Sequence, residues 1–190
     1  IEQPFAVHRN PADHLHLGEP PAVAPASVRR VIAVLEAAQR HVMQIPHLRL
    51  GELATEGPNR SIRALAYHIY QIPDAFLQAI EDGVSDLTSI FNAAPPAEVR
   101  TVQDIRDYGA RVTARLRRWA AASLQASRGR TVNTYYGERP LQELLERSTW
   151  HSAQHARQIV VVLERFGIAP DGPLTAEDYA GLPMPIGVWE

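Results

Sequence analysis

The sequence contains neither cysteine nor lysine among its 190 residues. Because there is no cysteine, the chain has no disulfide, no thiolate metal site and no cysteine nucleophile, and any sulfur chemistry requires a small-molecule thiol. Because all 19 basic residues are arginine, a Schiff-base mechanism within the chain is also excluded. A metal held by this chain must therefore be bound by histidine, aspartate, glutamate or water.

Long apolar runs are missing as well. No window approaches about 18 uninterrupted apolar residues, so we expect no transmembrane helix. The first residues also lack the basic-then-apolar pattern of a secretory signal. Since the chain begins at Ile1, we expect a processed chain or a segment of a longer one.

The charge is nearly balanced, with a formal net charge of −2. This balance argues against a general nucleic-acid binder. A local basic strip, typical of a solvated helix face, consists of Arg111, Arg115, Arg117 and Arg118. Hydrophobic residues make up 45% of the chain and charged residues 21%, which is ordinary for a globular protein, so we expect one domain with a full core.

Apolar residues recur at helical spacing in four stretches, at about 27–45, 61–82, 101–119 and 140–167. Polar residues suited to capping precede or begin three of them, and the predicted N-caps are Ser27, Ser61 and Thr101. Four long helices predict an all-α fold, a four-helix bundle.

Proline and glycine mark the segments around the bundle. Residues 1–26 are predicted to form an irregular proline-rich arm, and residues 127–139 a short hairpin-like connection. Residues 168–190 are expected to form a tail packed on the bundle, which itself occupies 27–167. Pro73 lies inside the second helical pattern and predicts a kink or a break there, because proline removes a backbone donor.

Two histidines, His151 and His155, lie four residues apart in the last predicted helix. This spacing brings their Cβ atoms to about 5–6 Å, where neutral imidazoles can converge on one metal ion with bonds of about 2.0–2.1 Å if it is zinc. His68 interrupts the apolar face of the second helix and becomes a candidate third ligand if it faces the pair. A structural role for buried, hydrogen-bonded histidines fits the same pattern, so both interpretations stay open.

The chain resembles the DinB-like superfamily, which includes bacillithiol S-transferases and mycothiol-dependent maleylpyruvate isomerases. The resemblance is carried by Leu65-Ala66-Tyr67-His68-Ile69 and, much later, by His151-x-x-x-His155-x-x-Gln158-Ile159. The Tyr135–Pro140 turn also resembles the family's entry to its last helix, and together the likeness covers roughly residues 27–167. It implies a DinB-like four-helix bundle that is cytoplasmic and homodimeric.

The resemblance also implies that His68, His151 and His155 bind a divalent metal, with zinc favoured and nickel or iron as alternatives. Solvent or substrate would complete the shell, and a low-molecular-weight thiol would be bound there as thiolate. The implied function is a thiol-dependent S-transferase or isomerase acting on an electrophilic substrate. Many relatives carry a further histidine directly before the last ligand, where this chain has Gln154.

Several other residues are candidates for the same site. An arginine could receive a carboxylate of the thiol cofactor or substrate by bidentate pairing, although each also fits a surface role, and the candidates are Arg60, Arg63 and Arg157. Other side chains could pack beside the histidines or fix an imidazole tautomer, namely Tyr67, Trp150, Glu143, Glu146, Gln154 and Gln158.

Two alternative functions remain open. A metal-dependent hydrolase using bound hydroxide would need a carboxylate base near the open position, such as Asp74. A non-catalytic, stress-related metal-binding protein is the other alternative, since many relatives have no assigned reaction. Loss of activity on chelation separates both enzymes from the binding protein, and dependence on added thiol separates the transferase from the hydrolase.

Overall fold

The computed structural model describes residues 19–55, 60–84, 87–134 and 137–189. Its helices are α1 (Pro25–Gln44), α2 (Ile62–Glu81), α3 (Leu87–Asn92), α4 (Val102–Ser123), α5 (Leu141–Arg165) and α6 (Ala176–Tyr179). Its strands are β1 (Thr131–Thr134) and β2 (Gly137–Pro140). Residues 1–18 of the predicted arm and the Tyr135–Tyr136 part of the predicted turn lie outside the described residues.

The four long helices form a bundle, as the sequence predicts. Helix α5 packs against α1 and α2, and α4 packs against the same two helices from the other side. The order around the bundle is therefore α1, α5, α2, α4, which makes α2 and α5, the helices that carry the three histidines, direct neighbours. No helix in the described ranges is both long and apolar enough to cross a membrane.

The core lies between the inward faces of these helices. Its largest fully buried side chains come from α1, α2, α3, α4 and α5, and include Leu35, Tyr70, Phe76, Leu87, Leu116 and Leu145. Burying a Leu or Phe side chain stabilises a fold by about 1.5–3 kcal/mol. The apolar stripes read from the sequence are thus the faces that hold the bundle together.

Two of the predicted N-caps are confirmed. The Ser61 side chain accepts a hydrogen bond from the Ala64 N–H at 3.2 Å. Thr101 and Asp104 form a reciprocal capping box at the start of α4. Both caps depend on residues three apart, so local sequence is enough to predict them.

The predicted cap at Ser27 is wrong. Helix α1 begins two residues earlier, at Pro25, with Ala24 as its N-cap. Proline suits the first turn of a helix because its fixed φ is already helical and its missing N–H has no intrahelical partner to lose. Ser27 instead accepts a hydrogen bond from the Gln142 side chain of α5 at 2.8 Å, so it links two helices.

The predicted hairpin-like connection is confirmed. Strands β1 and β2 pair antiparallel, with Thr131 opposite Pro140 and Thr134 opposite Gly137. The hairpin leads directly into α5, where the Leu141 N–H donates to the Arg130 carbonyl at 3.1 Å. Helix α3, by contrast, has only six residues and was not anticipated from periodicity.

The residues after α5 turn back along the bundle. Near the beginning of this tail, Arg40 of α1 donates to the Gly172 carbonyl at 2.7 Å. At its end, Gln154 of α5 donates to the Val188 carbonyl at 2.6 Å, and Arg157 donates to the Pro185 carbonyl at 3.0 Å. The tail therefore returns to the helix that carries two of the three histidines.

Helix α2 continues through Pro73, so the expected break is absent, while the alternative of a kink stays a prediction. Proline has no N–H to bond the carbonyl four residues earlier, which is that of Ile69. The Ser152 hydroxyl of α5 donates to this Ile69 carbonyl at 2.9 Å in a buried position. The bond lost within one helix is thus replaced by a bond between two helices, one residue away from both His68 and His151.

We predict that Ser152→Ala destabilises the protein by about 1–3 kcal/mol, because it leaves the buried Ile69 carbonyl without a donor. In a Pro73→Ala background the backbone N–H of residue 73 can take over, so the same substitution should cost less. Urea unfolding of the parent, both single variants and the double variant measures this coupling.

Ser148→Ala is the matched control. The Ser148 hydroxyl donates to the Leu144 carbonyl of its own helix at 2.8 Å, so its removal should have the same small effect in both backgrounds. An equal cost of Ser152→Ala with and without Pro73 would contradict the explanation.

Candidate metal centre

Three histidines from two helices meet inside the bundle. His68 comes from α2, and His151 and His155 lie one turn apart on α5. The ring centroids are 5.3 Å apart for His68 and His151, 5.0 Å for His68 and His155, and 4.8 Å for His151 and His155. One ring nitrogen from each lies within 4.8 Å of the other two. The group could therefore hold a divalent metal ion.

The buried nitrogens of this group need a partner. His68 is 3% exposed and His155 is 9% exposed. Their Nε2 atoms are buried and have no hydrogen-bond partner in the part of the chain that the structure describes. Leaving a buried polar atom unpaired costs about 1–3 kcal/mol. A cation bound between the rings would satisfy both nitrogens, so the donor set fits a metal ion.

The hydrogen bonds of His68 identify which nitrogen carries the proton. His68 Nδ1 lies 2.9 Å from Gln71 Oε1. The Gln71 amide nitrogen donates to two backbone carbonyls, of Ile90 at 2.6 Å and Ala93 at 3.1 Å. Because this nitrogen faces two acceptors, the amide oxygen must face the ring, and Nδ1 must be the donor. Nε2 is then the atom with a free lone pair.

His155 repeats this arrangement on the other helix. Its Nδ1 lies 2.7 Å from Gln158 Oε1, and the Gln158 amide nitrogen donates to the Val188 carbonyl at 2.9 Å. The same reasoning leaves the Nε2 lone pair of His155 free. Gln158 was a sequence candidate for this contact and Gln71 was missed. The signal that could have found both is the shared pattern His-x-x-Gln, which places the two side chains on one helix face.

All three imidazoles are neutral at neutral pH. Burial lowers the pKa of His68 to about 3 and that of His155 to about 4, because a charged ring would lose its solvation. Burial also holds the pKa of His151 well below its usual range, with a further lowering from the nearby rings of His155 and His68. Neutral rings have lone pairs available, which is the form that binds metals.

One of the three candidate arginines acts on the histidines. The charge of Arg60 lowers the pKa of His68, His151 and His155 alike. Arg63 donates to the Val99 carbonyl at 2.9 Å, and the contacts of Arg157 are to the Gln154 side chain and the tail. Arg60 is thus the candidate whose charge reaches the site.

Two of the neighbouring side chains have other contacts. Tyr67 stacks on Tyr108 of α4 with ring centroids 4.6 Å apart. The Gln154 amide donates to the tail at Val188. Trp150 lies beside the site, with its ring 5.7 Å from that of His151. Exposed positions on α5 are occupied by Glu143 and Glu146.

Asp74 is engaged between α2 and α4. Its carboxylate accepts hydrogen bonds from Gln78 at 2.9 Å, Tyr108 at 3.1 Å and Arg115 at 3.2 Å. Among the residues that the structure describes, no carboxylate joins the group formed by the three histidines. Within the described ranges, the ring nitrogens are the ligand atoms that this site offers.

A sequence model described as DinB superfamily matches residues 22–159, which is more than half of the chain. The matched segment includes all three histidines and the two glutamines that contact them, Gln71 and Gln158. It ends before the tail that contacts Gln154 and Gln158. No curated protein matches the chain.

We predict that the metal-free protein loses stability as the pH falls from about 6.5 towards the folded pKa values. The unfolded imidazoles titrate near 6.5, whereas His68 and His155 titrate at about 3 and about 4 in the fold. Between these values the unfolded chain binds more protons, so the free energy of unfolding decreases with decreasing pH. Urea unfolding with chelator present, at several pH values from roughly 5 to 7, measures this slope.

The control is the double variant His68→Leu, His155→Leu, measured under the same conditions. It lacks the two rings that stay neutral in the fold. Its free energy of unfolding should therefore change less with pH, because unfolding takes up as many as about two fewer protons. Identical slopes in the parent and the double variant would contradict the assigned pKa shifts.

Proposed function

The chain belongs to the DinB superfamily, and we propose that it binds one divalent metal ion through His68, His151 and His155 and uses it to activate a low-molecular-weight thiol. The reaction would be S-transfer to an electrophilic substrate, or isomerisation of one. The observation that carries the proposal is that the Nε2 atoms of His68 and His155, buried on neighbouring helices, have no hydrogen-bond partner among the described residues. Zinc is the favoured ion, with nickel or iron as alternatives.

Charge supports the choice of an anionic ligand. A divalent ion held by three neutral imidazoles keeps its full charge and, when bound, stabilises a thiolate at an open position. Among the described residues no carboxylate joins the histidines to offset that charge. Arg60 adds a further positive field. The thiol would be supplied from outside, since the chain has no cysteine.

Arg60 is the residue we propose to recognise the bound molecule. Low-molecular-weight thiols and their electrophilic partners often carry carboxylates, and guanidinium groups pair with carboxylates in a bidentate manner. The charge of Arg60 lowers the pKa of all three histidines, so we favour Arg60 over Arg63 and Arg157 for this contact. The homodimer and cytoplasmic location implied by the resemblance remain predictions.

The hydrolase alternative has less support. Its proposed base, Asp74, accepts hydrogen bonds from three side chains, including the Arg115 guanidinium. These donors engage both carboxylate oxygens, and Asp74 does not join the group formed by the three histidines. A non-catalytic metal-binding protein would share the histidine site and differ in the response to thiol.

We expect purified protein to contain about one metal ion per chain and His155→Ala to lose most of it, because two ligands hold an ion far less tightly than three. Elemental analysis after dialysis against zinc measures the content. His47→Ala is the matched control, since His47 is exposed on a turn after α1. Equal metal content in His155→Ala and the control would remove His155 from the site.

We also expect glutathione to bind the cobalt-substituted protein as thiolate and to produce a sulfur-to-cobalt absorption band. Arg60→Ala should weaken glutathione binding by about tenfold or more, because a charge-assisted hydrogen bond contributes about 1.5–3 kcal/mol. The same substitution should leave binding of 2-mercaptoethanol, which has no carboxylate, nearly unchanged. If no thiol tested produces the band while the metal is present, the thiol function is excluded.

A further inference from the structure

The end of the tail contacts α5, the helix that carries His151 and His155, through backbone carbonyls. The Val188 carbonyl accepts hydrogen bonds from Gln154 at 2.6 Å and from Gln158 at 2.9 Å. Nearby, Arg157 holds the Pro185 carbonyl at 3.0 Å. Three side chains from about one turn of α5 thus anchor residues 185–188.

We infer that the C-terminal tail is a working part of the metal site: the Val188 carbonyl, acting through Gln158, positions His155 with its Nε2 lone pair towards the ion. This inference rests on the proposed function for the metal itself. The orientation of His155 does not, because it follows from hydrogen bonds within the chain. Gln158 is a positioning residue here, and so is Val188.

The contacts of Gln158 determine which end of its amide faces His155. A glutamine side chain has one end that donates and one that accepts. The Val188 atom that contacts Gln158 is a carbonyl oxygen, which can only accept, so the amide nitrogen must face the tail and the amide oxygen must face His155 Nδ1 at 2.7 Å. Without Val188 the amide would lose the acceptor that determines which end faces the ring.

The orientation of the Gln158 amide in turn determines the tautomer of His155. A neutral imidazole carries its proton on either nitrogen, and the hydrogen bond at one nitrogen decides the state of the other. An amide oxygen at Nδ1 requires the proton there. Nε2, buried and unpartnered among the described residues, is then permanently available as a ligand.

The same chain of contacts, from a backbone carbonyl through a glutamine to a histidine, occurs on α2. Gln71 holds His68 Nδ1 at 2.9 Å and donates to the carbonyls of Ile90, inside α3, and of Ala93, just after it. His68 and His155 are therefore each oriented by a glutamine three residues later, and each glutamine takes its own direction from a carbonyl outside the four main helices. Two independent occurrences at one site argue for a positioning role. Val188 lies beyond the matched residues 22–159, so this part of the site belongs to the tail.

The test compares full-length, metal-free variants by long-range nitrogen–proton NMR of the histidine rings. Gln158→Leu should convert His155 from the pure Nδ1–H form to a mixture and leave His68 unchanged. Gln71→Leu should do the reverse. Gln103→Leu is the matched control, because Gln103 is exposed on α4 and bonds Asp107. Zinc affinity, measured by chelator competition, should fall about 10–100-fold in the first two variants only.

The tail itself is tested by Gln154→Leu, Arg157→Leu, which removes two anchors and leaves Gln158 intact. We expect a mixed tautomer at His155 and weaker zinc binding in this double variant. A pure Nδ1–H form with unchanged affinity would overturn the role of the tail. The same result in Gln158→Leu would overturn the role of Gln158. A parent that binds no zinc would refute the proposed function, while its tautomers would still decide the orientation of the rings.

Discussion

A hydrogen bond between α2 and α5, the helices that carry the candidate metal site, replaces one that Pro73 cannot form within α2. Pro73 cannot bond the Ile69 carbonyl, and Ser152 of α5 supplies the donor at 2.9 Å. This bond is buried and lies next to His68 in one helix and His151 in the other. It therefore fixes the position of His68 along the bundle axis relative to His151 and His155. A slip of α5 by one turn would move the pair by about 5.4 Å and separate the three nitrogens.

The site itself opposes folding in the absence of a metal. Burial lowers the pKa values of the rings and leaves two Nε2 atoms without hydrogen bonds among the described residues. A core of apolar side chains at these positions would avoid both costs. Local conflicts of this kind mark functional sites, where a ligand supplies the missing interaction.

Orientation of the rings depends on parts of the chain that lie outside the bundle core. Gln71 takes its direction from carbonyls at the end of α3, and Gln158 takes its direction from the tail. The bundle brings the histidines together, and the peripheral segments determine which nitrogen each presents. Variation in these segments can therefore alter metal affinity without changing the helices.

Helical periodicity, the caps at Ser61 and Thr101 and the spacing of His151 and His155 could all be predicted from the sequence, because each depends on residues within one or two turns. The Ser27 cap failed since Pro25 offered a better start nearby. Only the tertiary structure decided that His68 faces the pair, that Asp74 is engaged by Arg115 and that Val188 orients Gln158. These partners lie 30 or more residues apart, and packing, which no local pattern encodes, determines which of them meet.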